Sequence, residues 1–382
     1  MFRLNDLGSG MRVSKSVRAL QVPEDNPMTP VFTNIFYIGG DQSLTIDSGE
    51  MLERYRWMLK GYLAAIEKTE IALAAITHHH SDHSGNLKWI REFYDAEILI
   101  PHNARPLLKG KLPARGVKKI QDGENIDLGK GVKVTVLQTP GHSVDSICFY
   151  LESEGVLFTG DTILGSTTTT VQNLADYRES LQHLVDLPNL KVICPGHGPL
   201  IEEPRERLTE YIAHRNQREE QIIDVLKKNR QVTSWEIMLE IYPQIDTRLR
   251  RAADSNVQSH LEQLKNVGLV DEISGIPRKN RLKQRDSTKD KEHERIIRQA
   301  ERLKTARLKA QIRAQESPPS DVWKVGMGLL SAATVGLTSM KTKRRSAVTT
   351  GRTSRKTPSR ATLTIGSAIA ADAAISTSKS DT

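Results

Sequence analysis

The feature that most constrains this chain is a stretch crowded with histidine and aspartate, AAITHHHSDHSGN, at residues 74–86. His78, His80, Asp82 and His83 form the pattern His-x-His-x-Asp-His at the end of an apolar run. Zinc and similar metals bind imidazole nitrogen and carboxylate oxygen at about 2.0–2.2 Å. Side chains two positions apart lie on the same side of an extended chain, so the first two histidines can face one metal. The spacing predicts that the other two residues, which follow the bend, face a second metal.

Three further segments place a histidine or an aspartate after an apolar, strand-like run. They are QTPGHSVDS with His142, LFTGDT with Asp161 and ICPGHGP with His197. Neighbouring glycine and proline favour tight loops, which can turn a ligand toward the edge of a sheet. A fifth segment, LTIDSG, supplies Asp47, which we expect to support a ligand rather than to bind metal. The ligand set predicts two adjacent sites and two zinc ions per chain, with manganese or iron as alternatives.

The region from Val31 to about Gly198 alternates strand-like and helix-like segments joined by short polar turns. Strands are predicted at TNIFYIGG, SLTIDSG, IALAAI, EILIPH, VKVTVLQ, SICFYLES, GVLFTGD and LKVICPG. The first two form a hairpin across a Gly-Gly-Asp turn. Helices are predicted at MLERYRWMLKGYLAAIEK, NLKWIREFY and YRESLQHLVDL. The pattern is typical of an α/β fold with functional groups on loops at one edge of a sheet.

The chain changes character after His197. A long helical stretch, PRERLTEYIAHRNQREEQIIDVLKKN, precedes two further helices and a short apolar strand, and the last helix ends at Gly268. This order predicts a small helical, winged-helix-like domain. A helical cap that only packs on the main domain fits the same pattern. We therefore expect a catalytic domain at residues 15–204 and the helical domain at residues 205–276.

The remainder of the chain is strongly basic. Residues 271–382 contain 24 Lys and Arg against 11 Asp and Glu, whereas residues 1–270 contain 31 against 35. We expect a charged helix at residues 277–319 and a disordered basic tail at residues 320–382. Such a tail attracts nucleic acid or an anionic membrane. A solvated tail without a partner is the alternative.

Cysteine content and terminal composition bear on location. Cys148 and Cys194 lie in apolar, strand-like runs, which fits a reducing compartment. The first residues contain no apolar segment of the secretory type. We expect a cytoplasmic protein, or a mitochondrial matrix protein given the Arg, Lys and Ser near the amino terminus. The apolar run Val325–Met340 is shorter than the ~20 residues of a membrane span, so no stable span is expected.

The ordered set of ligands resembles that of the metallo-β-lactamase superfamily, motif by motif. The resemblance implies an αββα sandwich with a dinuclear site at one edge. It also implies a division of the ligands: His78, His80 and His142 for the first metal, Asp82, His83 and His197 for the second, and Asp161 as the bridge. By the same resemblance Asp47 orients the loop and binds no metal.

Three motifs narrow the resemblance to the beta-lactamase-like protein 2 group over residues 15–275: FTGDTILGSTTT, CPGHGP and YIAHRNQREEQI. That group includes endoribonucleases specific for single strands and thioesterase-like hydrolases. The sequence departs from the group at His79 and Ser81, where relatives often carry an aromatic and a basic residue. We expect His79 to face away from the metals. The departure weakens any inference about an inherited substrate preference.

The resemblance implies a hydrolase that uses a metal-bridging hydroxide, with Asp82 as a ligand and as hydrogen-bond acceptor for the attacking group. Single-stranded RNA is the first expected substrate, and a thioester or lactone, cleaved as in glyoxalase II, is the alternative. A non-catalytic nucleic-acid-binding module is a third interpretation, against which the complete ligand set argues. Expected substrate contacts are Thr167, Thr168, Arg248 and Arg251. An ordinary hydroxyl-rich loop and a solvated basic turn are the alternatives for these two pairs.

Two other classes of the superfamily are excluded by the sequence. A β-CASP nuclease would carry a large insertion between Asp161 and His197, but only 35 residues separate them. A flavodiiron protein would have glutamate where His80 stands. These patterns leave the oligomeric state open.

Overall fold

The computed structural model describes residues 11–24, 31–68, 70–229, 231–275 and 277–282. The larger part of this structure consists of two β-sheets packed face to face, with helices against the outer faces. The αββα sandwich expected from the sequence is therefore confirmed.

The first sheet contains, within the described residues, seven strands in the order β1-β2-β3-β4-β5-β6-β7. These strands are β1 (Met11–Arg12), β2 (Val17–Glu24), β3 (Val31–Gly39), β4 (Ser43–Ile46), β5 (Leu73–Ala75), β6 (Glu97–Pro101) and β7 (Val117–Ile120). Strands β1 to β4 pair antiparallel, and β4 to β7 pair in parallel. Strands β3 and β4 form the predicted hairpin, in which Phe36 lies opposite Ile46.

The second sheet has the order β12-β11-β10-β9-β8 in the described part of the chain. Its strands are β8 (Asn125–Asp127), β9 (Lys133–Gln138), β10 (Ile147–Leu151), β11 (Val156–Gly160) and β12 (Val192–Pro195). Only the β11–β12 pair is parallel among them. An apolar layer joins the two sheets, and the rings of Phe36 and Phe158 meet in it with centroids 5.1 Å apart. Burial of this layer is the main stabilising term of the sandwich.

Helices cover the outer faces of the sandwich. They are α1 (Glu53–Ala65), α2 (Ser81–Ser84), α3 (Leu87–Tyr94) and α4 (Leu174–Val185). Helices α1 and α3 bury Leu59, Leu63 and Ile90 against the first sheet. On α4 the buried Tyr177 hydroxyl donates to the Thr162 carbonyl, which follows β11. Helix α2 is a single turn inside the histidine-rich stretch.

The remaining described elements form a separate apolar core. They are α5 (Pro204–Lys228), α6 (Ser234–Ile241), α7 (Arg250–Asn266), β13 (Val270–Ile273) and β14 (Lys279–Leu282). Gly268, where the last helix was predicted to end, has a φ of 76°, a conformation that favours glycine after a helix. Three helices followed by a two-stranded hairpin agree with the predicted winged-helix-like domain.

The expected start of a charged helix at residue 277 is wrong for the residues that the structure describes. Lys279–Leu282 is strand β14, which pairs antiparallel with β13. Asn280 is buried, and its backbone N–H donates to the Val232 carbonyl at 2.7 Å. Pairing with β13 therefore outweighs the charged composition of this segment. Residues 283–382, which contain the rest of that expected helix and the expected tail, lie outside the described residues.

Helix α6 begins with a capping box. The Thr233 hydroxyl accepts from the Glu236 backbone N–H at 3.1 Å, and the Glu236 carboxylate accepts from the Thr233 backbone N–H at 2.7 Å. We expect Thr233→Ala to lower the free energy of unfolding by about 1 kcal/mol in urea titration, the usual contribution of such a cap. Ser234→Ala, one residue later, should leave it unchanged. Equal losses in the two variants would contradict the capping role.

Cys148 and Cys194 are buried free thiols in β10 and β12. Burial raises the pKa of Cys148 to about 12, so this thiol stays protonated. No helix among the described residues has both the length and the apolar character that a membrane crossing requires.

Candidate metal centre

The candidate ligands meet at one edge of the sandwich because each follows a strand that ends there. Asp47 directly follows β4, and His78 comes three residues after β5. His142 follows β9, Asp161 directly follows β11, and His197 comes two residues after β12. Short loops then bring together side chains that are distant in sequence. All seven candidate ligands fall into two neighbouring groups.

The first ligand group contains His78, His80, His142 and Asp161. The Nε2 atoms of His78 and His142 lie 2.8 Å and 3.2 Å from Nδ1 of His80. Asp161 Oδ2 lies 3.7 Å from His142 Nε2. One donor atom from each residue lies within 4.8 Å of all the others. Donors that converge in this way can hold a single metal ion.

The second ligand group contains Asp82, His83 and His197, all buried. His197 Nε2 lies 3.2 Å from Asp82 Oδ2. Asp161 also approaches this group, since its Oδ1 lies 3.2 Å from His83 Nε2 and 3.4 Å from His197 Nε2. The carboxylate of Asp161 is therefore shared by both groups.

Six donor atoms of this centre are buried without a hydrogen-bond partner: both carboxylate oxygens of Asp82 and of Asp161, and Nε2 of His83 and of His197. An unsatisfied buried polar atom costs about 1–3 kcal/mol, so such atoms normally have partners. Here nitrogen and oxygen approach to 3.2 Å without the geometry of a hydrogen bond. Cations would satisfy all six atoms, so the donor set fits a pair of metal ions.

Three of the candidate ligands, His78, His83 and His197, have their outward-facing ring nitrogen, Nδ1, in contact with a neighbouring side chain. The contacts are His83 Nδ1 to Asp47 Oδ2 at 2.7 Å, His78 Nδ1 to Thr77 Oγ1 at 3.0 Å and His197 Nδ1 to Thr33 Oγ1 at 3.1 Å. Partners of this kind fix the orientation and tautomer of a ligating imidazole, and their loss typically costs about 10- to 100-fold in metal affinity. The structure thus places Asp47 against a ligand and in neither ligand group.

The charge states of four ligands suit metal binding. Burial holds the pKa of His78 well below its usual value and lowers the pKa of His80 to about 3. Burial alone would raise the pKa of Asp82 and Asp161, but the adjacent imidazoles outweigh it and hold both below their usual range. At neutral pH the imidazoles of His78 and His80 are therefore neutral, and the carboxylates of Asp82 and Asp161 are ionised. These are the forms that bind metal. His83 is different: burial alone would lower its pKa, but the carboxylates of Asp47, Asp161 and Asp82 outweigh burial and hold the pKa well above its usual value, so metal binding there must release a proton.

Three residues that the sequence analysis considered lie in neither ligand group: His79, Arg248 and Arg251. His79 contacts Asp145, with Nδ1 2.7 Å from Oδ1. Arg248 is exposed and pairs with Asp246 at 2.7 Å, and Arg251 is exposed on the first turn of α7. Among the described residues neither arginine makes a hydrogen bond or ion pair with a candidate ligand. The role of these two arginines as substrate contacts stays a prediction.

The threonine loop, residues 165–171, follows the shared aspartate. Thr167 is buried, and its carbonyl accepts from the Tyr211 hydroxyl at 2.6 Å and from Arg207 at 2.9 Å. Thr168 is half-buried. Both were predicted to contact substrate, but the observed contacts of Thr167 anchor the loop to α5.

Two other residues of the threonine loop contact a candidate ligand, a role that the sequence did not indicate. Thr169 Oγ1 and the Thr170 carbonyl oxygen each lie 2.9 Å from His142 Nδ1. Thr169 is fully buried. The only local signal for this role is the run TTTT, in which no position differs from the next.

A sandwich of two sheets with a histidine and aspartate centre at one edge defines a class of metal-dependent hydrolases. Residues 28–197 match the family model of the metallo-beta-lactamase superfamily. Residues 233–279 match the beta-lactamase associated winged helix domain, which confirms the predicted winged-helix-like domain. The chain belongs to the metallo-β-lactamase superfamily.

Within this superfamily the chain is similar to several individual proteins. The chain is 35% identical to the beta-lactamase-like protein 2 homolog of Caenorhabditis elegans over 266 residues, 68% of this chain and 88% of that protein. It is 35% identical to the atrochrysone carboxyl ACP thioesterase of Passalora fulva over 239 residues, 59% of this chain and 68% of that protein. A metallo-beta-lactamase family protein from Thermus thermophilus superimposes with a TM-score of 0.60 at 25% identity, covering 71% of this chain and 100% of that one. The resemblance drawn from the motifs is confirmed.

Proposed function

We propose that the chain is a dinuclear zinc hydrolase that cleaves phosphodiester bonds of single-stranded RNA. The two ligand groups offer the imidazole and carboxylate donors that zinc binds. A zinc pair would lower the pKa of coordinated water toward neutrality and polarise the oxygen under attack. Asp82 has two carboxylate oxygens without a hydrogen-bond partner, so one could help to hold a metal ion while the other orients the attacking water. Asp161 ties the two ligand groups into one centre.

The observation that carries the RNA assignment is a basic segment, residues 98–121, beside the metal centre. This segment contains six Lys and Arg and no Asp or Glu. Lys111 donates to the His79 carbonyl at 2.9 Å, and Asn103 donates to the Val144 carbonyl at 2.9 Å. Both acceptors lie within two residues of a candidate ligand. Cations next to the centre attract the polyanionic backbone of RNA.

An acyl-thioester is the second candidate substrate. It is favoured by the relatives named as atrochrysone carboxyl ACP thioesterases, such as the one from Passalora fulva. The same ligand groups would also serve a thioester, because metal ions held there would polarise its carbonyl for attack by water. The basic segment would then meet the phosphate of a carrier rather than that of RNA.

The test is hydrolysis of labelled single-stranded RNA, duplex RNA, S-lactoylglutathione and a lactone by zinc-loaded protein. We expect cleavage of single-stranded RNA, and its loss in Asp161→Ala and His80→Ala. Zinc should restore activity to metal-free protein better than manganese or iron. Thioester turnover without RNA cleavage would overturn the RNA assignment in favour of the second candidate. RNA binding without any hydrolysis would favour a non-catalytic module.

Charge reversal tests the basic segment directly. Arg105 and Lys109 are exposed, and we expect the pair Arg105→Glu and Lys109→Glu to weaken RNA binding about tenfold or more. The slope of log Kd against log salt should fall by about 1 for each lost phosphate contact, measured by fluorescence anisotropy. The control is the pair Lys130→Glu and Lys133→Glu. These lysines lie just before β9 and at its first residue, at the end of the strand away from His142. Equal effects of the two pairs would show that only net charge matters.

A further inference from the structure

The C-terminal domain reaches the first ligand group through buried contacts. Arg215 on α5 is 1% exposed, and its guanidinium donates to the Thr169 carbonyl at 2.5 Å. The hydroxyl of Thr169 lies 2.9 Å from His142 Nδ1, on the side of the ring opposite the ligand group. One residue of the threonine loop thus contacts α5 through its backbone and a candidate ligand through its side chain.

Helix α7 holds the end of the same loop. Asn256 Oδ1 accepts from the Val171 backbone N–H at 2.9 Å, and the Ser259 hydroxyl donates to the Val171 carbonyl. Asn256 and Ser259 are buried. Both backbone groups of Val171 are therefore paired with the C-terminal domain. The anchored residues are thus Thr169 and Val171, and the contacts to His142 come from Thr169 and from Thr170, which lies between them.

We propose that the C-terminal domain is a structural component of the first metal site. Arg215 and Asn256 are positioning residues: they hold the threonine loop so that Thr169 and Thr170 fix the ring of His142. A buried guanidinium is costly unless its hydrogen bonds are made, so Arg215 is poorly suited to mere space filling. The inference rests on the proposed dinuclear centre.

The effect should be selective for one of the two sites. His83 and His197 of the second ligand group are supported by Asp47 and Thr33, both on the first sheet of the sandwich. Arg215, Asn256 and Ser259 reach the ligands through His142, whereas the Tyr211 hydroxyl of α5 accepts from the Leu164 N–H, and the next residue, Gly165, donates to the His197 carbonyl at 3.0 Å. Loosening only residues 169–171, which Arg215 and Asn256 hold, should therefore weaken the first site and spare the second.

The primary test compares Arg215→Met with Arg218→Met. Arg218 lies on the same helix and is 6% exposed, but it packs over the ring of Tyr242 at 4.5 Å. Metal content after dialysis and affinity by chelator competition are measured on zinc-loaded protein. We expect Arg215→Met to lose about 10- to 100-fold in affinity at one site and to retain about one zinc per chain. Arg218→Met should retain the parent content and affinity.

Thr169→Val provides a milder test, since it removes the hydroxyl and keeps the carbonyl that Arg215 binds. We expect it to weaken the first site and to change the visible absorption of the cobalt-loaded protein, and Thr169→Ser should restore both. Asn256→Ala should act in the same direction. If Arg215→Met does not fold, Thr169→Val and Asn256→Ala test whether the threonine loop supports the first metal site.

Parent affinity at both sites in folded Thr169→Val and Asn256→Ala would overturn the inference. A parent protein that binds fewer than two metal ions would instead overturn the dinuclear centre on which the inference rests. The two failures are therefore distinguishable, because the first is seen only in the variants.

Discussion

Replacement of Asp161 by alanine is expected to lower kcat/KM by at least about a thousandfold. Metal ions contribute several kcal/mol of transition-state stabilisation, and each loss of about 1.4 kcal/mol slows the reaction tenfold. Asp161 is the carboxylate that approaches both ligand groups, with Oδ1 3.2 Å from His83 Nε2 and Oδ2 3.7 Å from His142 Nε2. Its removal separates the two groups. Initial rates on the best substrate, with metal content measured on the same sample, check this.

Two further variants separate charge from shape in this experiment. Asp161→Asn keeps the volume and loses the negative charge, so we expect nearly the same loss of rate in a protein that melts close to the parent. Glu179→Ala removes an exposed carboxylate from α4 and should leave the rate unchanged. A folded Asp161→Ala protein that keeps more than about a tenth of the parent rate would contradict the shared role of this carboxylate.

The candidate ligands were predictable because each signal is local. Asp47, His78, Asp161 and His197 all lie within three residues of the end of an apolar strand. An apolar run followed by a ligand and a glycine or proline indicates both the strand and where it ends. Since the strands run toward the same edge, a list of strand ends is already a description of the site.

Strands at the margins of the fold were not predictable in the same way. Strand β2, with the sequence VRALQVPE, contains charged residues and proline, yet it pairs with β3 from Val17–Ile38 to Glu24–Val31. Strand β14, with the sequence KNRL, reads as part of a charged helix until its pairing with β13 is known. In both cases a partner that is already in place determines the conformation, and local composition does not report it.

The contacts that support His142 depend on distances along the chain that no local pattern spans. Thr169 is 27 residues from His142, and Arg215 is 46 residues from Thr169. Within the run of four threonines, burial distinguishes Thr169, and burial follows from the position of α5 and α7. The sequence therefore predicted a functional loop here, with Thr167 and Thr168 as substrate contacts, but it gave no sign that Thr169 and Thr170 hold His142.

The charge total of residues 1–270 does not reveal the basic segment at residues 98–121. Residues 1–270 contain 31 Lys and Arg against 35 Asp and Glu, so the region that holds the metal centre reads as mildly acidic. The totals instead place the excess of Lys and Arg in residues 271–382, most of which lie outside the described residues. The contact of Lys111 with the His79 carbonyl places one cation of this segment next to the centre, and the contact of Asn103 with the Val144 carbonyl holds the segment against the loop of His142. Local charge next to a site steers an anionic substrate more directly than net charge does.

Gly196→Ala is expected to disable the second ligand group. A β-carbon at this position would lie 2.6 Å from His83 Cε1 and 2.8 Å from Asp161 Oδ1, closer than β-carbons approach other atoms. The backbone cannot easily retreat, because the Gly196 carbonyl accepts from Asn34 N–H and its N–H donates to Gly160, both at 2.8 Å. One ligand must therefore shift. A misplacement of about 1 Å can cost about a hundredfold in rate, and we expect that loss in kcat/KM with about one zinc per chain.

Gly61→Ala is the matched control for this substitution. Gly61 lies on the exposed face of α1, where a β-carbon meets nothing within 4 Å. We expect parent activity and metal content, and a gain of about 0.5–1 kcal/mol in the free energy of unfolding, because alanine is favoured over glycine inside a helix. A Gly196→Ala protein that binds two zinc ions at parent affinity would show that His83 and Asp161 can yield without loss. In that case the rigidity ascribed to the His83–Asp47 contact, at 2.7 Å, would be wrong.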